Sequence, residues 1–372
     1  MLTFERNPML GFAGVKSFVD FILNYLVVAV ALALIILNCS SRDLKYLIFK
    51  NISLVLFVGW VSLRLLIDAG HYNPNSTTVI SVLAGIIISL NISRSDLPIL
   101  RRSLLVLSFI FSIMIIAYVP SIIFSIGKND LGFTARLGEE YSPYYLIAFP
   151  RTVYIIVIAC VGSFVAEKNV FLKISSVLLM FIPLIIGFSI AGRGPFLGLV
   201  FAMSIIIIGT MIMHKDYNKI YFIFILLVMI FVVYYVFKIM PEYFPLFLDR
   251  ITLGDDSGRF SLWEDVVNYI SLFGMGAQQY YAHNLFLECV QNYGILGLLL
   301  LLSLLYHSFL RIKKGWQYKK DIELLVLMAI IALQIVSQQF SLDIFTALFW
   351  TAIVLPLNLD KRSTRNVPVT LN

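Results

Sequence analysis

The sequence predicts an all-α polytopic membrane protein, and three observations carry that fold class. Of its 372 residues, 60% are hydrophobic and 13% charged, about half the ~25% charge of an ordinary soluble domain. Mean hydropathy is +0.92, and a water-facing fold of this length cannot hide that much apolar surface. The apolar positions gather into runs long enough to cross a bilayer, without the alternation of a membrane β-barrel. Soluble enzymes, disulfide scaffolds, disordered chains and nucleic-acid modules are excluded. Residues 1–372 read as a single integral membrane domain.

About eleven transmembrane helices follow in order, near 18–38, 46–67, 77–93, 103–126, 144–165, 174–191, 195–213, 220–238, 285–309, 321–340 and 344–358. Each must be helical, because a lone strand leaves its backbone unsatisfied in lipid. The residues before the first run carry Glu5 and Pro8 and lack a cleavable signal pattern, so 18–38 reads as a retained span. Run 144–165 holds Arg151, in the string FPRTVY, roughly two turns in from one end. Only the turn Gly192-Arg193-Gly194-Pro195 separates the runs on either side of it. Cys39, Cys160 and Cys289 have no paired spacing, so neither a disulfide framework nor a Cys-x-x-Cys metal signature is present.

The charge of +7 (28 basic, 21 acidic) is explained by its placement. Alternate loops carry 17 Lys and Arg on one side and 8 on the other, with Lys50, Arg64 and Arg151 inside spans. The richer set faces the cytoplasm by the positive-inside rule. This predicts an external N-terminus and a cytoplasmic C-terminus.

One long connection, 238–284, lies on the external side. Loops beyond ~15 residues tend to be functional or disordered, and this one is rich in aromatics. Within FSLWEDVVNYISLF, Trp263, Val266, Val267 and Ile270 recur at helical spacing. Ser261 and Glu264 fit a capping box that would start the helix, and Gly274 would end it. The expectation is an amphipathic helix lying on the outer surface, either roofing a cavity or serving as a packed structural lid.

Three chemical features share that side. Arg193 sits between glycines, which let a ligand approach the backbone closely; it either binds an anion or snorkels to headgroups. Arg259 follows Asp255 and Asp256 and either pairs with them or clamps phosphate through its planar fork. Two aspartates without further ligands are a poor metal site, and no metal is expected. His283 and Asn284 stand where loop becomes helix, with Glu288 after them. That histidine either caps the helix or moves a proton near neutral pH. Arg151, and Arg136 in the external loop 127–143, are further candidates for substrate binding. Two guanidinium groups and a base on one face are what is needed to hold a diphosphate and deprotonate a hydroxyl.

The Gly-Arg-Gly turn at 192–194, GRFSLW at 258–263, FGMG at 273–276 and HNLFLECVQNYGILG at 283–297 together resemble the core of the O-antigen polymerase and O-antigen ligase superfamily. The resemblance covers roughly 105 residues, and the HN–L–E–GxxG block is its most specific part. It implies a fold similar to that of C-type glycosyltransferases and an inverting, metal-independent transfer with no cofactor, on the external face of the bacterial inner membrane. Donor and acceptor would be glycans on undecaprenyl diphosphate. Arg193 and Arg259 would hold the diphosphate, while His283 acts at the acceptor hydroxyl. Asn284 and Glu288 would assist at the substrate, Glu288 by orienting His283, though an i, i+5 pair is poorly placed for this on a helix. A flippase and a chain-length regulator are the implied protein partners. A polymerase is the first expectation and a ligase delivering finished glycan to lipid A core the alternative. A transporter using Lys50, Arg64 and Arg151 is a third, opposed by the absence of an evident internal repeat.

Overall fold

The computed structural model describes residues 51–67, 76–118, 143–189, 193–213, 259–268, 270–276, 284–318, 320–339 and 347–359. Regular structure among these is helical throughout: α1 Ile52–Ile67, α2 Ser76–Asn91, α3 Leu97–Tyr118, α4 Pro143–Ala166, α5 Val170–Ser189 and α6 Arg193–Met213. Then come α7 Arg259–Asn268, α8 Leu285–Tyr318, α9 Ile322–Gln338 and α10 Ala347–Val354, which ends in a 3₁₀ turn at Leu355–Asn358. Nine of the eleven apolar runs coincide with one of these helices; 18–38 and 220–238 lie outside the described residues. By length and composition two described helices can cross a membrane alone, Gly194–Met213 and Leu285–Tyr318. A third span arises if α2 and α3, bent by 99° at residues 92–93, are taken together. A polytopic helical membrane protein fits these lengths.

The helices pack through small residues, as expected where lipid offers no hydrophobic drive for association. A Cβ on Gly209 would strike Leu325, and one on Gly198 would lie 2.7 Å from Ser337 Oγ, so α6 and α9 run antiparallel in close contact. A Cβ on Gly162 of α4 would strike Val326 of α9, and one on Gly187 of α5 would strike the ring of Tyr154 of α4. Around these contacts Val153–Val161, Leu199, Ala202, Met203, Ile206 and Leu333 form one core. A second core joins α1, α2, α8 and α10 through Phe57, Leu285, Tyr293, Leu301 and Phe349.

Backbone groups released by prolines and bends are taken up by side chains of neighbouring helices. Pro183 lies inside α5, and its missing N–H would have bonded the Leu179 carbonyl. Ser108 of α3 donates to that carbonyl (3.3 Å), and Cys160 of α4 donates in turn to Ser108 (3.5 Å). At the other bend, Asn358 Nδ2 donates to the carbonyls of Leu90 and Ile92 (3.3 Å to the latter), closing the C-terminal end of α2. Ser308 of α8 donates to the Ile353 carbonyl (2.7 Å) where α10 tightens into the 3₁₀ turn containing Pro356.

Two expectations for the long loop are corrected. Helix α7 begins at Arg259, so Ser261 lies within its first turn and does not cap it. The helix stops at Asn268, leaving Ile270 outside, and of its expected apolar face Val266 is buried while Val267 is exposed. Gly274 ends nothing. Residues 271–276 bond to α8 instead, and the chain leaves the helical path to make those bonds.

Candidate functional site

The bundle has two chemically different ends. Arg101 of α3, almost fully buried, bonds Glu167 through Nη2 (2.9 Å), Glu323 through Nε (2.9 Å) and Ser163 through Nη1 (2.8 Å). Arg102 reaches the same Glu167 carboxylate at 3.0 Å. Arg94 pairs with Asp321 (2.7 Å) and donates to the Gly315 carbonyl (3.1 Å). Asp321 also caps α9 by accepting from Leu324 N. Paired and hydrogen-bonded charge of this kind is the form in which burial is tolerated. The loops 94–102, 166–173 and 310–320 all belong to the set rich in Lys and Arg, and the structure gathers them at one end. Glu167 is held below the ordinary carboxylate range, first by the hydrogen bond from Arg102 and then by Arg101, against the opposing effect of burial.

At the opposite end, α8 breaks. Gly294 adopts φ 75° and ψ −177° inside an otherwise helical run, leaving arms 285–293 and 295–318. A break in a membrane helix releases carbonyls before it and amides after it, each costly if unmet. Residues 271–276 meet them. Met275 N donates to Gln291 O (2.7 Å), and Gly276 N to Asn292 O (3.2 Å). Ile295 N donates to Ser271 O (3.0 Å), and Leu296 N to Leu272 O (3.2 Å). Trp60 Nε1 of α1 donates to the Tyr293 carbonyl (2.9 Å), and Arg64 Nη2 to Gly274 O (3.5 Å). Three carbonyls, 291–293, and two amides, 295 and 296, are thereby satisfied. FGMG and GxxG, two separate strings in the sequence, form one joint.

The described sequence candidates sit on four different helices. Arg193 and Arg259 are each the first residue of a helix, α6 and α7, and are placed by their backbones. A helix start carries partial positive charge and free N–H groups suited to an anion. Arg151 is the largest fully buried side chain of α4. Because α4 and α6 both run antiparallel to α9, the contacts Gly162–Val326 and Gly198–Ser337 set Arg151 near the level of Ser337, about one turn short of Arg193. Asn284 caps α8, its Oδ1 accepting from Phe286 N (3.0 Å) and Leu287 N (3.2 Å), while its Nδ2 donates to Gln339 O at the end of α9 (3.4 Å). Glu288 is buried in the first turn of α8. His283 and Arg136 lie outside the described residues.

Sequence reasoning missed the part played by α1 and α9. Trp60 and Arg64 read as span residues, yet they hold the joint. Gln334, Ser337 and Gln338 are fully buried near the end of α9 that meets Asn284. Their signal was available: three uncharged polar side chains within five residues of a span are expensive in lipid and mark a packed or functional face.

Residues 176–302 match a protein-family model described as O-Antigen ligase. That segment contains the Gly-Arg-Gly string, whose Arg193 and Gly194 lie in α6 and not in the expected turn, together with α7 and the joint. No curated protein matches the chain, and no solved structure does.

Proposed function

We propose that this chain, which belongs through residues 176–302 to the O-antigen ligase and polymerase superfamily, transfers a glycan from undecaprenyl diphosphate to an acceptor hydroxyl. The observation that carries the reading is that both guanidinium candidates inside the matched segment, Arg193 and Arg259, open helices. Cleaving the bond from sugar C1 to the phosphate oxygen leaves both electrons on that oxygen. A guanidinium and a helix start aimed there stabilise the developing charge more in the transition state than in the ground state. One such donor is worth roughly 3–4 kcal/mol of barrier. His283 takes the proton of the attacking hydroxyl as general base, for about 10²–10⁴ in rate. Attack opposite the leaving diphosphate inverts C1. The energy resides in the lipid-linked donor, so neither nucleotide nor metal enters. Arg151 and Arg136 hold further phosphate or acceptor groups.

The family description favours the ligase, with lipid A core as acceptor, over the polymerase that was the first expectation from sequence. The polymerase remains the second reading because the match spans the donor candidates and leaves most of the chain, where an acceptor would be chosen, unmatched. In this reading the chain has eleven spans, an external N-terminus and a site on the external face of the bacterial inner membrane, with a flippase supplying substrate and, for the polymerase, a chain-length regulator as partner. The transporter reading is disfavoured by the buried ion pairs at the far end of the bundle, which tie α3, α4 and α9 together.

A deletion strain complemented with Arg193→Ala, Arg259→Ala or His283→Ala tests the site. Loss of glycan transfer at normal protein level is expected for each. Normal transfer in all three overturns the proposal. The null phenotype separates the readings: finished polymer stranded on the carrier lipid marks the ligase, and single repeats marks the polymerase.

A further inference from the structure

The segment that plugs the break in α8 belongs to a connection that reads as an external loop, yet it is bonded far down two helices. Trp60, which donates to Tyr293 O and has its ring centroid 6.0 Å from that of Phe273 in a tilted pair, lies seven residues before the end of α1 at Ile67, a rise of about 10 Å. Gly294 lies nine residues past the start of α8 at Leu285, about 14 Å. Half the hydrocarbon core measures ~15 Å, so a segment fixed at that level is well below the tips of the helices beside it.

Its side chains agree with that depth. Leu272 is 56% exposed, Phe273 54% and Met275 39%, with no charge between Ile270 and Gly276. A water-facing loop with three large apolar side chains turned outward would be a costly surface. On either side the exposed residues are also apolar, Leu56 and Leu63 on α1, Ile295 and Leu299 on α8, so the loop continues the belt formed by its neighbours. Non-helical backbone is tolerated at membrane depth when its polar groups are met within the protein. Here the bonds to residues 291–296 do so.

We propose that residues 270–276 form a re-entrant wedge, with Leu272, Phe273 and Met275 in the lipid hydrocarbon of the leaflet on the side of the candidate site. Bilayer chains, rather than a second protein, are the occupant because the patch is continuous with the lipid-facing sides of α1 and α8. The wedge stands independently of the reaction assigned above, and it places a lipid-contacting wall beside α8.

Nitroxide labels at Phe273→Cys and Met275→Cys, with the native cysteines replaced by alanine, test this in phosphatidylethanolamine–phosphatidylglycerol vesicles. Glu264→Cys, on the exposed charged part of α7, is the aqueous reference. Collisions with oxygen should exceed those with a water-soluble nickel chelate several-fold at 273 and 275, and the order should reverse at 264. Adding Gly294→Ala should undock the segment and shift both labels toward nickel. Nickel dominating at 273 and 275 in the parent background overturns the wedge, as does shielding from both reagents, which marks a protein partner. Should the cysteine variants fail to fold, Phe273→Trp in the otherwise native chain gives the same decision. Fluorescence quenched by lipids brominated in the acyl chain, beyond the quenching of the parent protein, supports the wedge, and no added quenching overturns it.

Discussion

Gly274 and Gly294 meet backbone to backbone, 20 residues apart in sequence. A Cβ on Gly274 would lie 2.5 Å from Gly294 N and 2.6 Å from Asn292 O, and a Cβ on Gly294 would strike Leu272 O and Gly274 N. Both have positive φ, 78° and 75°, where any L side chain is strained. Alanine at either position should cost about 1–3 kcal/mol from backbone strain alone and abolish transfer. Gly59→Ala, with nothing within 4 Å of its Cβ, should unfold as the parent does. Thermal unfolding in detergent, with glycan transfer in complemented cells, checks all three.

Trp60→Phe keeps an aromatic ring but removes the donor to Tyr293 O. The Tyr293 carbonyl, beside the break at Gly294, then loses that donor, at a cost of about 1 kcal/mol. The same substitution on an intact helix would be mild. Double-mutant cycles with Phe273→Ala should show coupling, since the two rings touch.

At the far end, Arg101→Ala takes the guanidinium from Glu323 and leaves Glu167 with Arg102 alone, and should destabilise by about 3–5 kcal/mol. Arg102, whose side chain is 64% exposed, should lose little when replaced, about 0–1 kcal/mol. Equal effects of the two in chemical denaturation would contradict the buried geometry of Arg101.

Glu167 gives the network a pH signature. Its carboxyl titrates lower in the folded chain than the ordinary glutamate value of about 4.3. Its stabilisation is therefore complete above that value and is lost as pH falls through the folded one. Unfolding midpoints of the parent should drop on acidification in this window, and Glu167→Gln should flatten that part of the curve.

Ser108→Ala should cost about 1–3 kcal/mol, because the Leu179 carbonyl beneath Pro183 loses its donor. Introducing Pro183→Ala restores a helical N–H to that carbonyl and should make the serine dispensable. Additive effects of the two changes would show that the serine acts elsewhere.

The apolar runs were legible because lipid demands them, and nine coincide with helices among the described residues, of which two are long and apolar enough to cross a membrane alone. Of Arg193 and Arg259, singled out by their glycine neighbours, the structure gives the positions, each the first residue of a helix. What the sequence concealed depends on pairing at a distance. Nothing local in LRLLI shows that Arg64 reaches Gly274, and the glycine of FGMG read as a helix terminator because a terminator and a docking glycine share the same positive φ. The capping box misled for a related reason: Ser261 and Glu264 have the spacing, but the helix had already begun at Arg259.

The charged knot around Arg101 has a mechanical consequence. Three chain segments separated by dozens of residues are cinched at one side chain, so α3, α4 and α9 have no slack there. Under the proposed reaction a sugar on a long lipid would need room to enter and leave, and the tied end offers it least. The broken helix lies at the other end, with Arg101 holding the tied end fixed.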